Sequence, residues 1–326
     1  MILAGDVGGT KTLIGLFELE GGRLRSVREA TFPSQDFGAL EEILQRFFEK
    51  EDRPSLGTAC FGVAGPVVAG RSNTTNLPWQ LDESILATEL QVPRVKLLND
   101  LEAAAHAMRH LLPTDLSVLQ RGLKREGNIA VIAAGTGLGE ACLYWDGETH
   151  HAIASEGGHA DFAPRTDQEM ELLSYLMPKF GGHVSYERVL SGDGLYNIYE
   201  FLRDSGHGIE PPWLTKQLKG SDDPPAIISE LALSGKNPLC IEALNLFSSI
   251  YGAETGNLVL KFLAVGGAFV AGGIAPKILA TLQNGGFMSG FIDKGRFSEL
   301  MRNTGVHVAM NPKAPLIGAA QFALRL

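Results

Sequence analysis

An α/β chain of about two domains is the fold class this sequence predicts, and three observations predict it. The chain has 326 residues, enough for two units that each bury a core of their own. Its first third alternates apolar strand-type runs with helical periodicity. Two glycine-threonine turns, far apart in sequence, each sit between strand-type runs. The first is Gly5-Asp6-Val7-Gly8-Gly9-Thr10-Lys11-Thr12, between Ile2-Leu3-Ala4 and Leu13-Ile14-Gly15-Leu16-Phe17. The second is Ala134-Gly135-Thr136-Gly137-Leu138-Gly139, between Ile129-Ala130-Val131-Ile132-Ala133 and Ala141-Cys142-Leu143-Tyr144-Trp145.

Read in order, strands are expected near residues 2–8, 12–18 and 24–32. A helix follows at Phe37–Lys50, capped by Ser34 or Asp36. A strand at Gly57–Ala64 runs into the Gly65-Pro66 turn. A helix at Glu83–Leu90, a strand at Arg94–Leu98 and a helix over residues 101–111 complete the first unit. Beyond the Gly135 hairpin, helices are expected at Gln168–Leu176, Gly194–Leu202 and Cys240–Phe262. The stretch from Asp204 to Ala226, with its Gly, Pro and paired Asp residues, reads as an exposed loop. Ala268-Phe269-Val270-Ala271-Gly272-Gly273 reads as a strand and turn, and Pro276 suits the first turn of a following helix. An apolar helix, Leu316–Leu326, closes the chain.

Composition narrows the function. With 44% hydrophobic and 20% charged residues, the chain has the make-up of an ordinary globular enzyme. A net charge of −9 and scattered basic residues exclude a nucleic-acid binder. The three cysteines, Cys60, Cys142 and Cys240, lie in apolar segments and are expected as buried thiols. No charged leader precedes Ile2 and no apolar run reaches membrane-spanning length, so a cytoplasmic protein is expected.

The two turns carry the first chemistry. Glycine opens backbone angles closed to other residues and lets a phosphate approach amide N–H groups, and threonine adds a hydroxyl donor. Asp6 places a carboxylate where Mg²⁺ and its waters would sit. Facing each other, two such turns would hold a nucleoside triphosphate. Lys11-Thr12 is not a P-loop, because Thr10 stands where glycine is required and a strand follows instead of a helix. The glycines from 135 to 139 lack the Rossmann spacing.

Leu97-Leu98-Asn99-Asp100 puts an Asn-Asp pair at the carboxyl end of a strand as a helix begins, the edge where α/β sheets gather ligands. Asp100 there suits either a general base for phosphoryl transfer to an alcohol or a helix cap. Asn99 can both donate to and accept from sugar hydroxyls. Glu156, Gly157, Gly158, His159 and Asp161 form a short polar loop, and Glu187 lies in the Tyr186-Glu187-Arg188-Val189-Leu190-Ser191-Gly192 run. Two carboxylates and an imidazole suit adjacent sugar hydroxyls.

Together, Asp6-x-Gly-Gly-Thr, Leu-Asn99-Asp100, Glu156-Gly-Gly-His159-x-Asp161-Phe and Glu187-Arg-Val-Leu-Ser-Gly resemble the bacterial-type glucokinase family, within the sugar kinase/actin/heat-shock chaperone superfamily. The resemblance spans nearly the whole chain. It implies a two-domain actin-like ATPase fold (ribonuclease H-like), with duplicated mixed sheets, flanking helices and a cleft between domains. The small domain would span residues 1–110 plus a returning helix at 313–326, and the large domain 111–312. The implied activity is phosphorylation of the glucose 6-hydroxyl by ATP, with Mg²⁺. Asp100 would be the base, and Asn99, Glu156, His159, Glu187 and Asn76 would hold the sugar. Gly8, Gly9, Thr10, Lys11, Gly135, Thr136 and Gly137 would cradle phosphates. Asp6 would organise the metal through water, and Gly272 and Gly273 would lie against adenosine. Asp161 is expected to brace the His159 loop, and Asp293-Lys294-Gly295-Arg296-Phe297 to form a structural ion-pairing turn.

The related ROK group carries a cysteine-rich zinc motif near its histidine. No Cys-x-Cys occurs here, so no zinc is expected. The resemblance also implies a homodimer and no DNA-binding helices. A nucleotide-switched chaperone would share the ATP turns without needing Glu156, His159 and Glu187. A kinase for another hexose or amino sugar is the closer alternative, since two or three side chains separate epimers.

Overall fold

The computed structural model describes residues 1–49, 54–74 and 77–326. They cluster into two compact units. One comprises Met1–Asp115, Ala152–Ala154 and Asn311–Leu326, and the other Leu116–His151 and Ser155–Met310.

The first unit runs β1 (Ile2–Val7), β2 (Lys11–Glu20), β3 (Arg23–Pro33), α1 (Leu40–Phe48), β4 (Thr58–Val63), β5 (Arg71–Asn73), β6 (Gln80–Asp82), α2 (Glu83–Leu90), β7 (Val95–Asn99) and α3 (Asp100–Ala107). Its main sheet has the order β3-β2-β1-β4-β7. β1 is antiparallel to β2 and parallel to β4, which is parallel to β7. Alternate residues face opposite sides of the sheet. Leu3, Val7 and Ile14 pack with Leu40, Ile43 and Phe47 of α1 and Leu86 and Leu90 of α2. Ile2, Ala4, Cys60 and Leu98 pack with Ala103 of α3 and with Leu316, Ala319, Ala320 and Ala323 of the C-terminal helix (Ala314–Ala323). Register sets Asp6 opposite Gly62 and Asn99 opposite Val63, at the carboxyl ends of three parallel strands.

Two local expectations change. Helix α1 begins after Ala39, which makes no side-chain cap, and its expected end at Lys50 lies outside the described residues. Ser34 is instead buried in a 3-10 turn (Ser34–Asp36), where its hydroxyl serves the first glycine turn.

The second unit runs β8 (Leu116–Gln120), β9 (Ile129–Ala134), β10 (Leu138–Trp145), β11 (His150–Ser155), α4 (Asp167–Lys179), α5 (Gly192–Asp204), α6 (Pro212–Lys219), α7 (Pro224–Leu233), α8 (Pro238–Phe262), β12 (Gly267–Ala271), α9 (Leu279–Gln283), α10 (Gly286–Ile292), α11 (Ser298–Arg302) and β13 (Val306–Ala309). The sheet order is β11-β10-β9-β12-β13-β8. β9 is antiparallel to β10 and parallel to β12. Helix α8 is buried along most of its length, and its start is capped by Asn237, whose side chain accepts from the Cys240 N–H at 3.0 Å.

The expected loop from Asp204 to Ala226 holds α6 and the start of α7. Pro212 and Pro224 open these helices instead of breaking them, because proline's missing N–H costs nothing in a first turn. Pro276 lies in a turn that ends before α9 begins at Leu279. All three cysteines are buried and free. Among the described residues, no helix is long and apolar enough to cross a membrane.

Candidate functional site

In the first unit, the β1–β2 turn closes with the Gly8 N–H donating to the Lys11 carbonyl at 3.1 Å. Ser34 braces it: its hydroxyl donates to the Gly8 carbonyl at 2.7 Å, its N–H to the Thr10 carbonyl at 3.0 Å, and its oxygen lies 2.9 Å from the buried Thr12 hydroxyl. Thr10 and Lys11 are exposed beside this frame. Ser34, expected with Asp36 as an alternative helix cap, is thus a brace of the turn, and its place directly after the β3 run is the sequence signal for that.

Asn99 occupies the N-cap of α3, and Asp100 is the first helical residue. Asn99 Oδ1 accepts from the Leu101 N–H at 2.9 Å and its Nδ2 donates to the Gly65 carbonyl at 3.2 Å. One N–H and one lone pair of that amide remain for a ligand. Asp100 is exposed, with Oδ1 accepting from the Leu101 N–H at 2.8 Å. Burial, and then the Asp100 charge, push the Asp6 carboxyl up to about 6, against the opposing pull of Lys11. Two repelling carboxylates at one sheet edge are a donor set that a hard cation relieves. Asn76 lies outside the described residues.

In the second unit, the loop after β11 is joined by backbone bonds to the segment before α5. The Phe162 N–H donates to the Val184 carbonyl at 2.9 Å, and the Tyr186 N–H to the Ala160 carbonyl at 2.9 Å. This brings three predicted side chains together: His159 Nε2 lies 3.9 Å from Glu156 Oε2, and His159 Nδ1 lies 4.0 Å from Glu187 Oε1. Glu187 also accepts from the Leu138 N–H at 3.0 Å, which fastens it to the second glycine turn. Asp161 pairs with His183 at 3.1 Å.

Neither Gly8, Gly135 nor Gly137 has the positive φ that the sequence reading offered as glycine's purpose there. A Cβ on Gly137 would stand 2.5 Å from Glu187 Oε2, so a larger residue there would shift the Glu187 carboxylate. Gly272 does adopt a positive φ, and a Cβ on it would meet the Ala134 carbonyl oxygen at 2.4 Å. The Gly272-Gly273 turn is thus packed beside the Gly135 turn, tied by the Ile274 N–H donating to the Ala134 carbonyl at 3.2 Å. The buried Tyr251 hydroxyl, unanticipated from sequence, accepts from the Ala134 N–H at 3.1 Å between these two strand ends.

The His159 loop itself is pressed onto β10. A Cβ on Gly158 would stand 2.0 Å from the Leu138 carbonyl oxygen, which is backbone and cannot swing away. Gly158→Ala is therefore expected to displace His159 and, on the sugar-holding role that the sequence resemblance implies for it, to lower kcat/KM for the sugar by about 10²-fold, the cost of misplacing a binding group by an ångström or so. Steady-state kinetics on the folded variant check this, and an unchanged kcat/KM would refute it.

Mixed sheets of this order, each with a glycine turn at its working edge and one with a carboxylate-imidazole cluster, define a two-domain α/β protein of the actin-like fold. A family model described as Glucokinase matches residues 3–326. A glucokinase of Trichormus variabilis is 43% identical over 340 aligned positions, covering 100% of this chain and 99% of its own. A crystal structure of glucokinase from an Antarctic psychrotroph superposes with a TM-score of 0.87 at 32% identity, covering 100% and 99% of the two chains. A ROK family glucokinase from Streptomyces griseus, solved in complex with glucose and AMPPNP, shares the fold with a TM-score of 0.65 at 21% identity, covering 100% of this chain and 99% of that one. The chain belongs to the glucokinase family.

Proposed function

We propose that this protein transfers the γ-phosphoryl group of ATP to the 6-hydroxyl of glucose, giving glucose 6-phosphate and ADP. Full-length similarity to a named glucokinase supports the reaction. The placing of His159 within about 4 Å of both Glu156 and Glu187 is the observation that carries the sugar site.

In this reading Glu156, His159, Glu187 and the free half of the Asn99 amide hold the sugar hydroxyls. Asp100 accepts the 6-hydroxyl proton as that oxygen bonds to the γ-phosphorus and the bond to the ADP oxygen breaks. Backbone N–H groups and hydroxyls of the two glycine turns, with Lys11, hold the phosphates, and Gly272 and Gly273 leave room for adenosine. Asp6 would hold Mg²⁺ through water, and that ion would offset charge on the phosphates. Zinc has no part in this reading, and a homodimer is its expected assembly.

The test is sugar-dependent ADP release with ATP and Mg²⁺, offering glucose, mannose, fructose, glucosamine and N-acetylmannosamine in parallel. Turnover should be strongest with glucose. It should vanish on chelation and return with Mg²⁺ but not with Zn²⁺. Strongest turnover with another sugar would move the specificity, and none with any sugar would refute the site.

A further inference from the structure

Beneath the His159 loop lies a buried acidic pair that the proposed reaction does not use. Glu140 is the one charged residue in the inward-facing run of β10 and is 1% exposed; Glu254, in the middle of α8, is 0% exposed. Their surroundings differ. Glu254 accepts from Asn257 Nδ2 at 2.7 Å and pairs with Lys261 Nζ at 3.0 Å. Glu140 Oε1 has no hydrogen-bond partner, and the charge facing it most strongly is Glu254. Its other oxygen presses on the sugar loop, since a Cβ on Gly157 would stand 2.1 Å from Glu140 Oε2.

Two buried carboxylates facing each other cannot both stay charged at low cost when the cation that bonds directly, Lys261, pairs with Glu254. Glu254 has the lysine and the amide, so the proton belongs on Glu140. A protonated Oε1 can donate toward Glu254, which turns repulsion into attraction. We propose that Glu140 and Glu254 share one proton, and that this proton sets the position of the Glu156–His159 loop, making Glu140 a positioning residue for sugar binding. The loop's role in sugar binding rests on the function proposed above.

Connections from the pair reach both arms of the cluster. The Tyr186 hydroxyl accepts from Asn257 Nδ2 at 3.1 Å and interacts with Glu254, and Tyr186 immediately precedes Glu187. Gly157, one residue from Glu156, rests on Glu140 itself. When the shared proton leaves, Glu140 and Glu254 repel, and the packing of Glu140 Oε2 against Gly157 carries the displacement to the loop.

The charged and titratable groups facing the pair come from several elements. Helix α8 supplies Lys261 and the Tyr251 hydroxyl, and the 3-10 turn before α5 supplies Tyr186. Lys294, after α10, faces Glu254, and its own field includes Arg165 and Glu169. Lys261 favours the ionised pair, but burial and the Glu254 charge outweigh it and push Glu140 up to about 8.

The expected result follows with a definite sign. As pH rises one unit past that point, KM for glucose should rise roughly tenfold, because the competent protonated form is being depleted, while kcat changes less. Glu140→Gln, which mimics the protonated acid, should match the parent at pH 7 and remove the alkaline rise. Glu254→Gln, a second way to end the repulsion, should flatten the profile too. An alkaline KM rise of equal size in either folded variant would overturn the proposal.

A readout without sugar separates this from the function itself. A group whose folded pKa is raised gives stability that is complete below its unfolded value and is lost as pH rises through the folded one. The melting temperature of the ligand-free parent should therefore fall between about pH 4.5 and 8 relative to Glu140→Gln. Parallel melting profiles would overturn the shared proton. Diverging melting profiles with no difference in KM would overturn its link to the sugar loop. If the parent turned over no sugar at all, diverging melting profiles would still uphold the shared proton, and the fault would lie with the function.

Discussion

Asp100→Asn is expected to lower kcat by about 10²–10⁴, the usual contribution of a positioned general base, while KM for glucose stays within a few-fold. The local structure makes that result interpretable. Asn99, not Asp100, caps α3, and its Oδ1 accepts from the Leu101 N–H whatever stands at position 100. The same N–H also donates to Asp100 Oδ1, a bond that an amide oxygen accepts equally well. The helix should start where it does now. Asp6 should hold a cation no less well, since the Asp100 charge is one of the causes that raise its pKa, and removing it makes ionisation easier. A fall in kcat would then report the lost proton acceptor. Turnover within threefold of the parent, from protein with an unchanged melting temperature, would refute the assignment of Asp100 as base.

Much of this was legible in the sequence, for identifiable reasons. The hairpins β1–β2 and β9–β10 stood out because apolar runs flank glycine and threonine at fixed offsets. Helix α2 (Glu83–Leu90) was placed to the residue, and the Asp82 side chain caps it by accepting from the N–H groups of Ser84 and Ile85. Glu156, His159 and Glu187 could be grouped because each lies in a compact polar run with glycine. Strands β5, β6, β8, β11 and β13 were missed. β13 is four residues long, β8 is half-exposed, and both are fixed by pairing with distant strands, which local pattern does not carry. Prolines misled around residue 212 because a breaker inside a helix and an opener in its first turn look alike without the fold. Ser34, Tyr251 and the Glu140–Glu254 pair act through partners remote in sequence. Glu140 did leave a trace, an acid at an inward position of an apolar strand, but its meaning depends on a second acid that only packing reveals.

Gly318→Ala sets two effects of opposite sign against each other. On helix propensity alone, alanine in place of glycine inside the C-terminal helix should stabilise by about 1 kcal/mol. The space around Gly318 reverses this. A Cβ there would stand 1.7 Å from the Ala103 carbonyl oxygen and 2.9 Å from the Ala107 N. Both are backbone atoms of α3, so no rotamer change relieves the clash and the two helices must part. Ala103 cannot retreat, because its own Cβ faces Gly62 of β4 with no room for another methyl: a Cβ on Gly62 would stand 2.8 Å from it. Overpacking of this kind costs about 1–3 kcal/mol, with backbone clashes at the upper end. The net expectation is a melting temperature lowered by several degrees, at about 2–4 °C per kcal/mol for a unit of this size. Gly286→Ala is the control, since that helical glycine has no atom within 4 Å of its Cβ position and should be neutral or slightly stabilising. Because α3 begins at Asp100, any shift that Gly318→Ala forces on it should also lower kcat, which Gly286→Ala should leave unchanged. Calorimetry on the two variants decides the matter: a Gly318→Ala protein as stable as its parent would mean that the C-terminal helix and α3 are not packed backbone to backbone, and the close seating of the helix that presents Asp100 would have to be given up.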